Sequence, residues 1–152
     1  MLNDAGTAAF VTSFFKAGQF VTAIVTGRGR RLKTIADTQR DFASFGFRPV
    51  PLNNNGDVAF LATLDDFQTT GIFVGPDPVA DRVIATGDTL DGATVTGLGF
   101  AEEGLNDSGQ LAFTASFQDP TTFETRVAVF RHAGAVENGP EESRERRRSG
   151  AG

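Results

Sequence analysis

Short apolar stretches, separated by polar and glycine-rich turns, follow one another along almost the whole chain. The middle third shows the pattern most clearly. DVAFLATL (57–64), TGIFVG (70–75), DRVIATGD (81–88) and ATVTGLGF (93–100) are the apolar pieces, and DDFQT, PDP and TLDG stand between them. Short stretches rich in Val, Ile, Phe and Thr, bounded by Gly, Pro and Asp, predict β-strands joined by tight turns. The same order appears earlier as VTAIVTG (21–27), RLKTIAD (31–37) and FASFGF (42–47). Later it reappears as QLAFTASF (110–117) and ETRVAVFRH (124–132). Nothing shows a sustained helical period; ESRERRRS has helix formers but no apolar face to bury. Within DVAFLATL and QLAFTASF, alternation puts Val58, Phe60 and Ala62, or Leu111, Phe113 and Ala115, on one face. Ala59 and Leu61, or Ala112 and Thr114, fall on the other. Apolar residues on both faces predict burial on both sides. A small Ala beside a large Phe predicts a close approach on one face and a packing knob on the other.

The strands belong to a repeat. LNDAGTAAF (2–10), LNNNGDVAF (52–60) and LNDSGQLAF (105–113) set Asn3, Asn53 and Asn106 in register, 50 and 53 residues apart. Gly6, Gly56 and Gly109 follow, then Ala9, Ala59 and Ala112, then Phe10, Phe60 and Phe113. A recurring period of this size signals a repeat architecture. Asn-x-x-Gly is turn chemistry: the Asn side chain is expected to accept the N–H two residues on, and Gly to take positive φ leading into the next strand. The expected domain is 1–134, with units of about 2–51, 52–104 and 105–134, the last incomplete. Residues 135–152, rich in Glu, Arg and Gly, are expected to be a disordered charged tail. Four strands per unit predict an all-β fold of consecutive four-stranded antiparallel, β-propeller-like blades, about two and a half repeats in all. In that arrangement all four strands pair within their unit, and Phe60 meets residues 71–75. The alternative is a β-sandwich that pairs strands between repeats.

The phrase, met three times in register across residues 2 to about 132, resembles a bacterial tandem-repeat family with an Asn-x-x-Gly-x-x-Ala-Phe signature. The turn is also similar in shape to the Asp-box hairpins of some propellers. The family resemblance implies exported, surface-anchored proteins with variable C-terminal anchors and without an established activity. It therefore implies an extracellular or cell-surface location, and a chain that is a fragment of something larger. The N-terminus lacks a basic region followed by an apolar core, so no signal peptide is read there. Two and a half units fall short of the roughly four to eight blades of a closed propeller, so exposed blade faces are expected to favour a protein partner or self-association.

Composition narrows the chemistry. No cysteine is present, which excludes disulfides, zinc–thiolate sites and cysteine nucleophiles. The formal net charge is −5, and the one basic cluster before the tail is GRGRRLK (27–33), expected to be a solvated hairpin tip. No nucleic-acid partner is expected. All 15 aromatics are Phe, which predicts core packing over a ligand platform. No apolar run is long enough for a membrane span. His132 is the single histidine, at the end of the last strand, and is not assigned to catalysis. Asp57, Asp65, Asp66, Asp77, Asp81, Asp88 and Asp91 are expected to cap turns; NNNGD (53–57) and GDTLDG (87–92) are thin matches to a calcium loop. No catalytic, metal or cofactor residue is assigned. The expected function is a non-enzymatic repeat scaffold or interaction module. One alternative is a propeller binding calcium or a glycan at its tips. Another is part of a hydrolase with an acidic funnel.

Overall fold

The computed structural model describes residues 1–46, 50–119 and 121–133, and every regular element among them is a β-strand. Phe47 and the charged tail 135–152 lie outside the described residues. The strands are β1 (Ala8–Lys16), β2 (Gln19–Arg28), β3 (Arg31–Asp37), β4 (Phe42–Phe45), β5 (Ala59–Leu64), β6 (Thr70–Val74), β7 (Arg82–Ala85), β8 (Thr89–Leu90), β9 (Ala93–Leu105), β10 (Leu111–Gln118) and β11 (Thr125–His132). They form three antiparallel sheets, ordered β1-β2-β3, β4-β5-β6-β7 and β11-β10-β9-β8. The all-β expectation holds. GRGRRLK is the β2–β3 tip, and GPDPVADR connects β6 to β7.

Pairing inside a unit follows sequence order for three strands. Phe60 of β5 lies opposite Phe73 of β6, and Ile72 of β6 lies opposite Ile84 of β7. The fourth strand departs from expectation. β4 pairs with β5 of the next unit, and β9 likewise pairs with β10. The picture of four strands pairing within one unit is therefore corrected: each sheet is displaced by one strand from the repeat. The cause is the Asn-x-x-Gly corner. It is a hairpin, and a short hairpin joins hydrogen-bonded neighbours of one sheet. Pairing across the repeat boundary, which the sandwich alternative required, is confined to this one strand of each unit. β8 is an addition, at a place where the sequence predicts only a turn. Asp91 (φ 53°) and Gly92 (φ 72°) are both left-handed, the geometry of a type I′ turn, and they fold Thr89–Leu90 onto the start of β9.

The second sheet is covered on both faces. One core holds Ala9, Ile24 and Ala36 of the first sheet together with Phe42, Phe45, Phe60, Ala62 and Phe73 of the second. The other holds Ala59, Ile72 and Ile84 of the second with Val95, Leu111, Phe113, Ala115 and Phe117 of the third. Adjacent β5 residues thus serve opposite cores: Ala59 faces the third sheet and Phe60 the first, at 0% and 2% exposure. Four rings lock the first core. Phe42 lies 5.5, 5.7 and 5.1 Å from Phe45, Phe60 and Phe73, mostly tilted or edge-to-face, as ring quadrupoles favour. β10, expected to be buried on both sides, is buried on one only. Leu111, Phe113, Ala115 and Phe117 are inside, whereas Ala112 is exposed and Thr114 and Ser116 are half-buried, because no fourth sheet lies beyond it among the described residues.

The expectation that the Phe residues belong to the core also needs correction. Phe15, Phe20, Phe67 and Phe123 are 77%, 64%, 79% and 70% exposed. Each sits at or beside the hairpin tip that joins the first two strands of its unit, Phe15 and Phe20 as the paired ends of β1 and β2 and Phe67 and Phe123 in the turns themselves. Phe67 and Phe123 occupy left-handed backbone (φ 57° and 59°), an uncommon setting for a bulky side chain.

Phe73→Ala removes a fully buried ring from this cluster and should lower stability by about 3–5 kcal/mol in chemical denaturation. Phe67→Ala, at an exposed tip, should change it by less than about 0.5 kcal/mol.

Candidate functional site

The three corners share one construction. The glycine N–H donates to the asparagine carbonyl, Gly6 to Asn3 (2.9 Å), Gly56 to Asn53 (3.2 Å) and Gly109 to Asn106 (3.0 Å). The asparagine N–H donates to the carbonyl four residues on, at Thr7, Asp57 and Gln110. Asparagine Oδ1 accepts the N–H of that same residue, at 2.9, 2.8 and 2.9 Å. The expected bond to the N–H two residues on forms only at the third corner, from Ser108 to Asn106 Oδ1 (3.0 Å). The glycines, at φ 75°, 91° and 73°, turn the chain so that the following N–H faces the side-chain oxygen instead.

With its oxygen held inside its own turn, each amide has Nδ2 free to reach outward. Asn3 Nδ2 donates to the carbonyl of Asn53 (3.0 Å), and Asn53 Nδ2 donates to the carbonyl of Asn106 (3.1 Å). A second row runs beside the first. The Asp4 N–H donates to Asn54 Oδ1 (2.9 Å), and the Asn54 N–H donates to Asp107 Oδ1 (2.8 Å). Asn54 Nδ2 bridges the carboxylates of Asp4 and Asp107, at 3.0 Å each. Asn55 Nδ2 also donates to the Asp107 carbonyl. The corners therefore form a polar clasp across all three sheets. Asn53 lies at its centre, 3% exposed, donating also to Asp57 Oδ2 (2.8 Å), and none of its polar atoms is left unpaired.

A cleft of about 480 Å³ opens beside the clasp. Asn55, Asp57, Asp81, Arg82, Asp107 and His132 are among its lining residues. Three of the carboxylates already have partners here. Asp57 and Asp107 accept from Asn53 and Asn54, and Asp81 Oδ2 accepts the Asp77 N–H (2.8 Å). Burial lowers the pKa of His132 below its ordinary value of 6.5, which favours neutral imidazole. The Asn54 backbone N–H and then its amide lower the pKa of Asp107 below 3.8, which holds it as an ionised acceptor. A general acid needs the opposite shift.

The other aspartates act as the sequence reading expected in most places. Asp66 accepts from Gln68 and Thr69, Asp77 from Val79 and Ala80, and Asp119 from Thr121 and Thr122. All three pKa values are lowered, at Asp66 chiefly by the Thr69 hydroxyl and at the others by the backbone N–H groups. Asp88 caps the Ala85 N–H (2.8 Å) and lies 3.4 Å from the Arg82 guanidinium. Asp91 belongs to the type I′ turn, and no capping bond involves Asp65 among the described residues. Among the described residues no cluster of His, Cys, Asp and Glu has the makings of a metal site, and no helix is long and apolar enough to cross a membrane.

Residues 1–135 match the model of a family of unknown function, DUF7453. The chain belongs to the DUF7453 family. No curated protein and no solved structure matches it. The matched span of this DUF7453 chain contains all three corners and all eleven strands. The corners are legible in the sequence; their turn-to-turn bonding and the cleft are not. The cleft draws its residues from four separate stretches, around 55–57, 74–83, 107–109 and 132, and no local pattern announces it.

Asn53→Ala should cost about 1–3 kcal/mol, because it removes the three hydrogen bonds that a buried amide makes to Asp57 and Asn106; Asn106→Ala, on an exposed corner, should cost less. Paired denaturation curves check both. The pH dependence divides in two. The folded state disfavours protonated His132, so stability is complete above about pH 6.5 and falls as pH drops below it. Asp66, Asp77, Asp107 and Asp119 contribute stability that is present above their unfolded value and lost as pH falls through their lowered folded values. In melting curves against pH, His132→Gln should flatten the upper phase only, and Asp107→Asn the lower.

Proposed function

We propose that this DUF7453 chain is a non-enzymatic β-repeat scaffold or interaction module of propeller-like sheets, acting outside the cell or at its surface. One observation carries the reading. The polar side chains of the repeated corner bind the next corner, from Asn3 to Asn53 to Asn106, and so join one sheet to the next. That is the work of a connector. The aspartates with lowered pKa values fit the same reading, since they serve as ionised caps on backbone N–H groups. Variable tips at the ends of a repeated frame, basic at 28–31 and acidic at 77–81, are where a scaffold would carry its specificity. The exported location rests on the resemblance of the phrase.

A second reading has an observation of its own. His132 and three carboxylates line one cleft, and Asp4 and Asp107 converge on Asn54, as an acidic hydrolytic site would require. Two assays separate the readings. The scaffold predicts no turnover of ester, glycoside, peptide or phosphoester substrates, and no heat or melting shift on titration with Ca²⁺. Turnover that disappears in Asp107→Asn or His132→Gln would replace the scaffold with the hydrolase. Stoichiometric calcium binding would replace it with the ligand-binding propeller.

A further inference from the structure

The two internal interfaces are built alike. At the first, Ala9 of β1 and Phe60 of β5 share a core; at the second, Ala59 of β5 and Phe113 of β10 do. In each, the Ala comes from the earlier unit and the Phe from the later. The second strands behave the same way. Ile24 and Ile72, equivalent positions opposite Val11 and Leu61, are both 0% exposed beneath the following sheet.

At the two ends of the stack, several of the same positions are exposed, while on the first sheet Val21, Ala23 and Val25 of β2, which share the Phe10 face, stay buried. On the first sheet Phe10, the counterpart of Phe60 (2%) and Phe113 (5%), is 41% exposed. Phe14 at 37% and Leu32 at 71% flank it on the same face. On the third sheet Ala112 is exposed, and Val129, the counterpart of Ile24 and Ile72, is 75% exposed. Val127 beside it is 64% exposed. One end thus presents a knob face and the other a seat face, the two halves of an interface the fold already makes twice.

The clasp is open in the same sense. Among the described residues the Asn3 carbonyl accepts only from Gly6, where its two counterparts also accept from the preceding asparagine. At the other end, among the described residues, Asn106 Nδ2 donates only to Gln110 of its own corner, and the Asp107 N–H, whose counterparts in Asp4 and Asn54 both donate onward, has no partner.

We infer that the chain associates head to tail with a second copy of itself, the Phe10 face of one copy seated on the Ala112–Val129 face of the other. Asn106 Nδ2 and the Asp107 N–H then donate to the second copy's Asn3 carbonyl and Asp4 carboxylate. The inference rests on the scaffold reading and names its partner. The interface is heterologous, so it closes only if the rotation returns to the start; two copies line up six sheets, within the roughly four to eight of a closed propeller. The joint sets Asp107 of one copy beside Asp4 of the other, without the neutral Asn54 that separates such residues inside the chain. That repulsion is screened by salt, so association strengthens as ionic strength rises.

Sedimentation equilibrium on the full chain, with Phe10→Glu and Val129→Glu variants, tests this. Both substitutions are at exposed positions, and circular dichroism checks the fold. The wild-type chain should reach twice its mass with rising concentration, more readily in added salt. Each variant alone should stay monomeric. Their equimolar mixture should again reach twice the mass, since one intact knob face meets one intact seat face. A wild-type chain that stays monomeric to its solubility limit overturns the inference, as does a mixture that stays monomeric. Association of Val129→Glu by itself overturns it too, because knob faces would then pair with each other. Turnover in the substrate panel would remove the scaffold reading and leave this assembly standing; a monomeric chain would do the reverse.

Discussion

One amide side chain organises this molecule. The asparagine of the repeated corner keeps its oxygen for its own turn and extends its nitrogen to the next turn's carbonyl. The two ends of the group do different work. The oxygen fixes the loop conformation, and the nitrogen fixes the spacing of one sheet from the next. Aspartate would supply the first bond and not the second. A serine or threonine side chain is too short to do both. The residue type is therefore set by the need for an acceptor and a donor on one short planar group.

The Ala-Phe pair that closes the phrase answers a second need. Stacked sheets must approach closely in one place and fill the space beside it. Because strand neighbours point to opposite faces, the dipeptide supplies half of each of two interfaces. Ala59 lies under the third sheet while Phe60 reaches toward the first. Asparagine clasp and Ala-Phe packing then act at right angles in role. The first is directional and sets register between units; the second is non-directional and provides most of the burial. Their separation by only a few residues keeps the polar row at one end of the strands and the apolar core along their length.

Much of this was legible. The period, the turn glycines at positive φ, the strand positions and the opposed faces of β5 all follow from the sequence. The frame of the sheets was misread, though the signal was present. A corner recognised as a hairpin already requires that the chain before and after it pair, so a sheet boundary drawn at Asn53 contradicts the turn chemistry assigned there. The break falls instead near residues 38–41 and again near 86–88, where one sheet ends and the next begins. β8 was legible in the same way, from the Asp91-Gly92 dipeptide. The cleft and the clasp were not. They are made by residues some fifty positions apart, and a repeat shows that its copies are alike without showing that they touch.

The exposed Phe side chains divide along the same line. Phe10 and Phe60 carry the same sequence signal and have opposite fates, because exposure depends on whether another sheet precedes and not on the residue. Phe67 and Phe123 are a separate matter. Both sit in left-handed backbone at equivalent tips, where glycine or asparagine is comfortable and Phe is not. Asp66, directly ahead of Phe67, caps Gln68 and Thr69, and Asp119, four residues ahead of Phe123, caps Thr121 and Thr122. An Asp cap and a left-handed Phe thus occur together at this tip in both units, at different spacings. Its position at the end of the strands away from the asparagine corners gives the sheets two chemically distinct rims, one knitted together by asparagine, the other carrying exposed Phe side chains beside Asp-capped turns.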